Sequence, residues 1–137
     1  MVKPVGPDAR AEFAFIAKAV LARAMKEEGH GGLREAVELL ARQLGYEVRH
    51  IRNSRGQNVS DLPDLFLVRA GQRLRNRSVS GRAMWVELKR EGKKPTAGQE
   101  VMLRLMGRAG LEAYVFRPSD LFAGTILAIL RGIEEKP

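Results

Sequence analysis

Apolar positions along this chain recur with two periods, and the switches between them lay out the elements. From Asp8 to about Lys26 they return every three or four residues, placing Phe13, Ile16, Ala17, Val20 and Ala24 on one face. Pro7 and Asp8 give start signals for this helix and Gly29 a stop. Phe15 lies off that face, so the helix needs cover on more than one side, from the core or from a second subunit; both are open. A second helix spans Leu33 to Leu44, with Leu33, Val37, Leu40 and Leu44 in one stripe and Gly45 as its C-terminal signal.

The period then falls to two. Tyr46 to Ile51 alternates as a strand, residues 53–60 read as a polar loop, and Leu65 to Val68 and Ala83 to Leu88 read as two further strands. Ala70-Gly71 opens the basic connection between the last two. Thr96 caps a helix from Ala97 to Arg108 that turns Val101, Met102 and Leu105 inward and stops at Gly110. Leu111 to Phe116 is a fourth strand, and Pro118-Ser119-Asp120 starts one final helix carrying Leu121, Phe122, Ile126, Ile129 and Leu130. The order is α-α-β-β-β-α-β-α. An antiparallel hairpin followed by a helical crossover predicts an α/β fold with a mixed four-stranded sheet flanked by helices.

With 137 residues the chain makes one globular domain, and 45% apolar and 29% charged residues are ordinary for one. The charge balance is not ordinary. A net charge of +8, with nine Arg or Lys against two Glu between Arg69 and Lys94, predicts a polyanionic partner. Nucleic acid comes before membrane, because no basic helix carries a bulky aromatic face. The absence of cysteine excludes disulfides and thiolate chemistry, and His30 and His50 alone argue against a zinc site. Met1 to Arg10 has no signal-peptide hydrophobic region, and no apolar run is long enough to span a bilayer. A cytoplasmic location without a membrane partner is the expectation.

Candidate chemistry lies in two of the strands. Asp64 stands in Leu62-Pro63-Asp64-Leu65-Phe66-Leu67-Val68, and Glu87 and Lys89 stand in Trp85-Val86-Glu87-Leu88-Lys89. Strand alternation points Glu87 and Lys89 the same way, and a hairpin brings Asp64 beside Glu87. Two carboxylates with a neighbouring ammonium suit a hard divalent cation. Either fragment alone is more often a turn or a solvated ion pair. Their occurrence together, followed by a helix bearing a glutamine, favours a site. Trp85 shares the face of Glu87, and a buried core position competes there with stacking on a nucleotide.

From Ser60 to Asp120 the chain resembles the VRR-NUC domain of the PD-(D/E)xK nuclease superfamily. The resemblance rests on Asp61-Leu62-Pro63-Asp64-Leu65, Val86-Glu87-Leu88-Lys89, Gly92, Pro95-Thr96, Gln99, Ala109-Gly110 and Arg117-Pro118. Leu40-Ala41-Arg42-Gln43-Leu44-Gly45-Tyr46 with His50 looks like the segment that precedes the motif in that family. It implies a restriction-endonuclease-like core over residues 30–137, with residues 1–29 as a helical extension. Asp64 and Glu87 would then be the metal-binding acids, helped by the Leu88 backbone carbonyl, with Lys89 as the motif lysine and Gln99 near the site. A capping or surface role competes for Gln99. The family's further glutamate has no counterpart: its position holds His30, with Glu28 and Glu35 nearby.

The function so implied is Mg²⁺- or Mn²⁺-dependent phosphodiester hydrolysis by a structure-selective DNA endonuclease. Its narrower form is a junction resolvase, which needs a homodimer because one chain carries one site. Arg73, Arg75, Arg77, Arg82, Lys93 and Lys94 would contact the phosphate backbone of branched or flapped DNA. The alternative is a nuclease-fold DNA-binding module that is weak or inactive as a catalyst.

Overall fold

The computed structural model describes residues 31–51 and 61–132. The helix expected over Asp8 to Lys26, the loop over 53–60 and Glu28 lie outside them. Helix α1 (Gly31–Gln43) follows its apolar stripe, burying Leu33, Ala36, Val37, Leu40 and Ala41. Strands β1 (Glu47–His50), β2 (Leu65–Arg69) and β5 (Arg82–Leu88) are the alternating segments. Helix α2 (Ala97–Arg108) and strand β6 (Glu112–Phe116) come next. The main sheet is mixed, with order β1-β2-β5-β6: β1, β2 and β5 are antiparallel, and β6 runs parallel to β5.

Two features depart from the sequence reading. The basic connection is itself ordered as strands β3 (Gln72–Leu74) and β4 (Arg77–Val79), which form a separate two-stranded sheet. The final helix is two: α3 (Pro118–Phe122) and α4 (Thr125–Arg131), divided at Gly124, whose φ of 78° is left-handed. Apolar spacing continues through that break, so periodicity could not reveal it. Gly can take the left-handed turn without a Cβ penalty, and it lets α4 fold back onto the core.

One face of the sheet is the core. Leu65 and Leu67 of β2 and Met84, Val86 and Leu88 of β5 join Phe116 beneath α1 and α4, which bring Leu40, Ile126 and Leu130. Tyr46 fastens the corner: its hydroxyl donates to the Leu130 carbonyl at 2.7 Å, and the Arg69 guanidinium lies 4.7 Å over its ring. The other face carries Phe66, Trp85 and Glu87. Phe66 and Trp85 pack ring to ring at 4.7 Å, both half-buried, so Trp85 lies on the site face rather than in the core.

Helix α2 has its main described contact with β6. That placement reverses part of the expected stripe. Val101 and Leu105 are 51% and 55% exposed, and the helix buries Met106 instead. Met106→Ala is therefore expected to cost about 2 kcal/mol and Leu105→Gln less than about 0.5 kcal/mol, a contrast that thermal melts of the two variants would read directly. Among the described residues no helix is long and apolar enough to cross a membrane.

Candidate active site

Antiparallel register builds the centre of the site. Leu65 of β2 opposes Val86 of β5, so the preceding residue, Asp64, comes opposite Glu87 on the face away from the core. The Asp64 carbonyl accepts from the Ile51 amide at 2.9 Å, which anchors the start of β2 to β1. Its carboxylate Oδ2 accepts from the Leu88 amide at 2.9 Å. The acid is thus tied to the strand that carries its partner. Parallel pairing of β5 with β6 ends both strands at this place, where the Lys89 amide donates to the Phe116 carbonyl at 3.0 Å.

Glu87 is 2% exposed, the one charged residue among the buried ones described. Burial is the largest influence on its pKa, which is pushed up to about 8. Asp64 raises it further through a hydrogen bond between the two carboxyls and through repulsion, while the Lys89 ammonium and the Leu88 amide pull the other way. The Glu87 Oε2 atom is buried with no hydrogen-bonding partner. A buried oxygen with an unused lone pair, facing a second carboxylate, fits a divalent cation: the charge that burial disfavours is what a cation would balance. Among the described residues no third His, Asp or Glu joins the pair, so Glu35, exposed on α1, does not complete it.

Gln99 stands apart from this centre in its bonding. Its Oε1 accepts from the Thr96 amide at 2.9 Å, and its own amide donates to Thr96 Oγ1 at 3.2 Å. The structure gives Gln99 the capping role, because Thr96-x-x-Gln99 satisfies two free donors at the start of α2. Asp61, part of the motif but assigned no role from the sequence, lies against that same helix start. A Cβ at Gly98 would meet its carboxylate oxygens at 2.3 and 2.7 Å, so only glycine admits this approach. The carboxylate there complements the positive end of α2 and links the segment carrying Asp64 to the helix.

The loop after β5 is braced rather than loose. Arg117 donates twice to the Lys93 carbonyl, at 2.8 and 3.3 Å, and the Glu91 carboxylate accepts from the Ser119 amide. That bond holds the Glu91 carboxyl below its usual range. Lys93 and Lys94 are exposed on this loop.

The other expected nucleic-acid residues divide. Arg73 and Arg75 are exposed on the β3–β4 hairpin, at the opposite end of the β2–β5 ladder from Asp64 and Glu87. Arg82 corrects the sequence reading. Its guanidinium grips Glu112 through two bonds, of 2.6 and 2.8 Å, and also donates to the Ile129 carbonyl. Its side chain is only 15% exposed, and it faces the core side of the sheet, away from Glu87. The Tyr114 hydroxyl completes the cluster by donating to Glu112 at 2.5 Å.

No family model matches the chain, and neither a curated protein nor a solved structure gives a match to it.

Proposed function

We propose that the protein is a metal-dependent DNA endonuclease of restriction-endonuclease-like fold, hydrolysing phosphodiester bonds at the end of the β5–β6 pair. The observation that carries the reading is the convergence of Asp64 with a buried Glu87 whose Oε2 has no partner. The resemblance of the Asp64…Glu87-Leu88-Lys89 segments to the VRR-NUC domain supports it from the sequence. Asp64 and Glu87 would hold Mg²⁺ or Mn²⁺, with the Leu88 carbonyl as a further ligand. When bound, such an ion neutralises charge on the phosphate and lowers the pKa of its water.

The chain's own groups supply the rest. The Leu88 amide fixes the Asp64 carboxylate, so that side chain does not reorganise as charge develops. Lys89, two residues beyond Glu87, offers a movable ammonium to a phosphate oxygen or to the attacking water. Lys93 and Lys94, exposed on the loop after β5, would add phosphate contacts to a bound strand. Among the described residues no recognition helix with base-reading side chains stands out, so selection by branched or flapped shape fits better than selection by sequence. Paired cuts across a junction would need two copies of the chain.

A second reading has its own motive. Two acids without a third among the described residues describe a weak metal site, as in a DNA-binding module that no longer cuts. Incubation with Mn²⁺ and branched, flapped and linear DNA separates the two. Cleavage of at least one substrate is expected, with a loss on the order of 10³-fold in Asp64→Asn. No cleavage of any substrate, or cleavage that Asp64→Asn leaves intact, refutes the enzyme.

A further inference from the structure

We infer that the β3–β4 hairpin is a free-standing arm that inserts into the major groove of double-stranded DNA, beyond the end of the β2–β5 ladder opposite the acid pair. The inference deepens the endonuclease reading by naming how the substrate is gripped.

The arm begins and ends at a glycine neck. A Cβ on Gly71 would lie 3.1 Å from the Gly81 nitrogen, and one on Gly81 would lie 3.0 Å from the Gly71 nitrogen. The two backbones therefore touch where Arg69 and Arg82 close the β2–β5 ladder and the separate hairpin starts. Beyond the neck, Gln72 opposes Val79, Arg73 opposes Ser78 and Leu74 opposes Arg77. This ribbon packs extensively on no other described element. A two-stranded hairpin alone is marginal in water, so an arm built this way gains its firmness from what it holds.

Its chemistry points to the partner. From Arg69 to Arg82 the chain has five arginines, no lysine and no acid. Arg69 and Arg82 are engaged with the body of the protein, whereas Arg73 and Arg75 are exposed on the arm. Arginine forks match phosphate pairs and guanine edges where lysine offers a point charge. A two-stranded ribbon fits the major groove of B-DNA, roughly 12 Å wide, but not the deep, narrow major groove of duplex RNA.

Placement adds a length. The ladder from the neck to Glu87 is about 17 Å and the arm adds about 10 Å, at roughly 3.3 Å per residue. An arm that continues the line of the ladder would reach roughly eight base pairs of duplex on one side of the cut.

The test measures binding in EDTA, where cleavage plays no part. It compares the wild-type chain, Arg73→Ser/Arg75→Ser, and a chain lacking residues 72–80, whose Ala70, Gly71 and Gly81 would close β2 to β5 as a three-residue loop. Matching melting curves establish that the variants fold. Wild type is expected to bind a 20-base-pair DNA duplex at least tenfold more tightly than either variant. The double substitution should lower the salt slope by about two. Trimming the duplex below roughly eight pairs should erase the difference. Equal binding by the clipped chain overturns the arm, and arm-dependent binding of duplex RNA or single strands at equal strength overturns groove insertion. Arm-dependent binding without Mn²⁺ cleavage refutes the nuclease and spares the arm; cleavage with arm-independent binding does the reverse.

Discussion

Replacing Glu87 with glutamine is expected to stabilise the metal-free protein at pH 8 and to remove its metal-dependent cleavage. A carboxyl whose pKa is higher in the fold than in the unfolded chain supports folding only while it keeps its proton. Its contribution is complete below about pH 4.5 and is lost as the pH climbs to the folded value of about 8. Across that window the wild-type chain should lose on the order of 4 kcal/mol. The Glu87→Gln chain is neutral throughout, so the two should be nearly equal in stability near pH 5, and the variant should lead by most of that margin at pH 8. Urea titrations in EDTA at the two pH values measure this. Mn²⁺ should then raise the stability of wild type at pH 8 and leave the variant unmoved. Parallel pH curves would mean that Glu87 does not carry the strain its burial implies. A residue whose removal strengthens the fold and ends the activity is the mark of a site kept for chemistry.

Arg82→Met is expected to cost about 2 kcal/mol of stability while leaving DNA affinity and its salt dependence unchanged. The Glu112 carboxyl is held below its usual range first by its bond to Arg82, and the arginine is correspondingly held firmly protonated. Deleting the guanidinium would remove both of its bonds to the Glu112 carboxylate, leaving that group only the Tyr114 hydroxyl, and would take the donor from the Ile129 carbonyl. The strand β6, which carries Glu112, would lose its tie to the start of β5. Chemical denaturation gives the first quantity and a salt series of binding isotherms the second. A fall in salt slope of about one unit would return Arg82 to the DNA-contacting set.

The contrast between Arg82 and Arg73 shows where sequence reading reaches its limit. Both sit in one crowded basic stretch, and charge density alone treats them alike. What separates them is a partner, Glu112, that only β5–β6 pairing brings across. By comparison, the four strands of the main sheet and helices α1 and α2 were legible because their apolar periods are strong. The acid pair was legible as well, since alternation and a hairpin suffice to set Asp64 beside Glu87. Strands β3 and β4 were hidden because Gln72-Arg73-Leu74 and Arg77-Ser78-Val79 carry one apolar residue each, too few to alternate. The capping box at Thr96 and Gln99 was present in the spacing, yet a glutamine beside a nuclease-like motif had two readings that spacing could not rank. The exposure of Val101 and Leu105 depended on where α2 lies across the sheet, which no local pattern encodes.

The closed neck at Gly71 and Gly81 makes the chain unequal in its tolerance of length. Beyond it, residues can be added or taken away in pairs without moving anything in the body, because the two glycines already complete the turn. Between the neck and Asp64 the opposite holds: one extra residue in Leu65–Arg69 would rotate the side chains beyond it by half a turn and send the acid to the wrong side. Relatives of this protein should therefore differ in the size of their projection and agree, residue for residue, in the stretch that leads back from it.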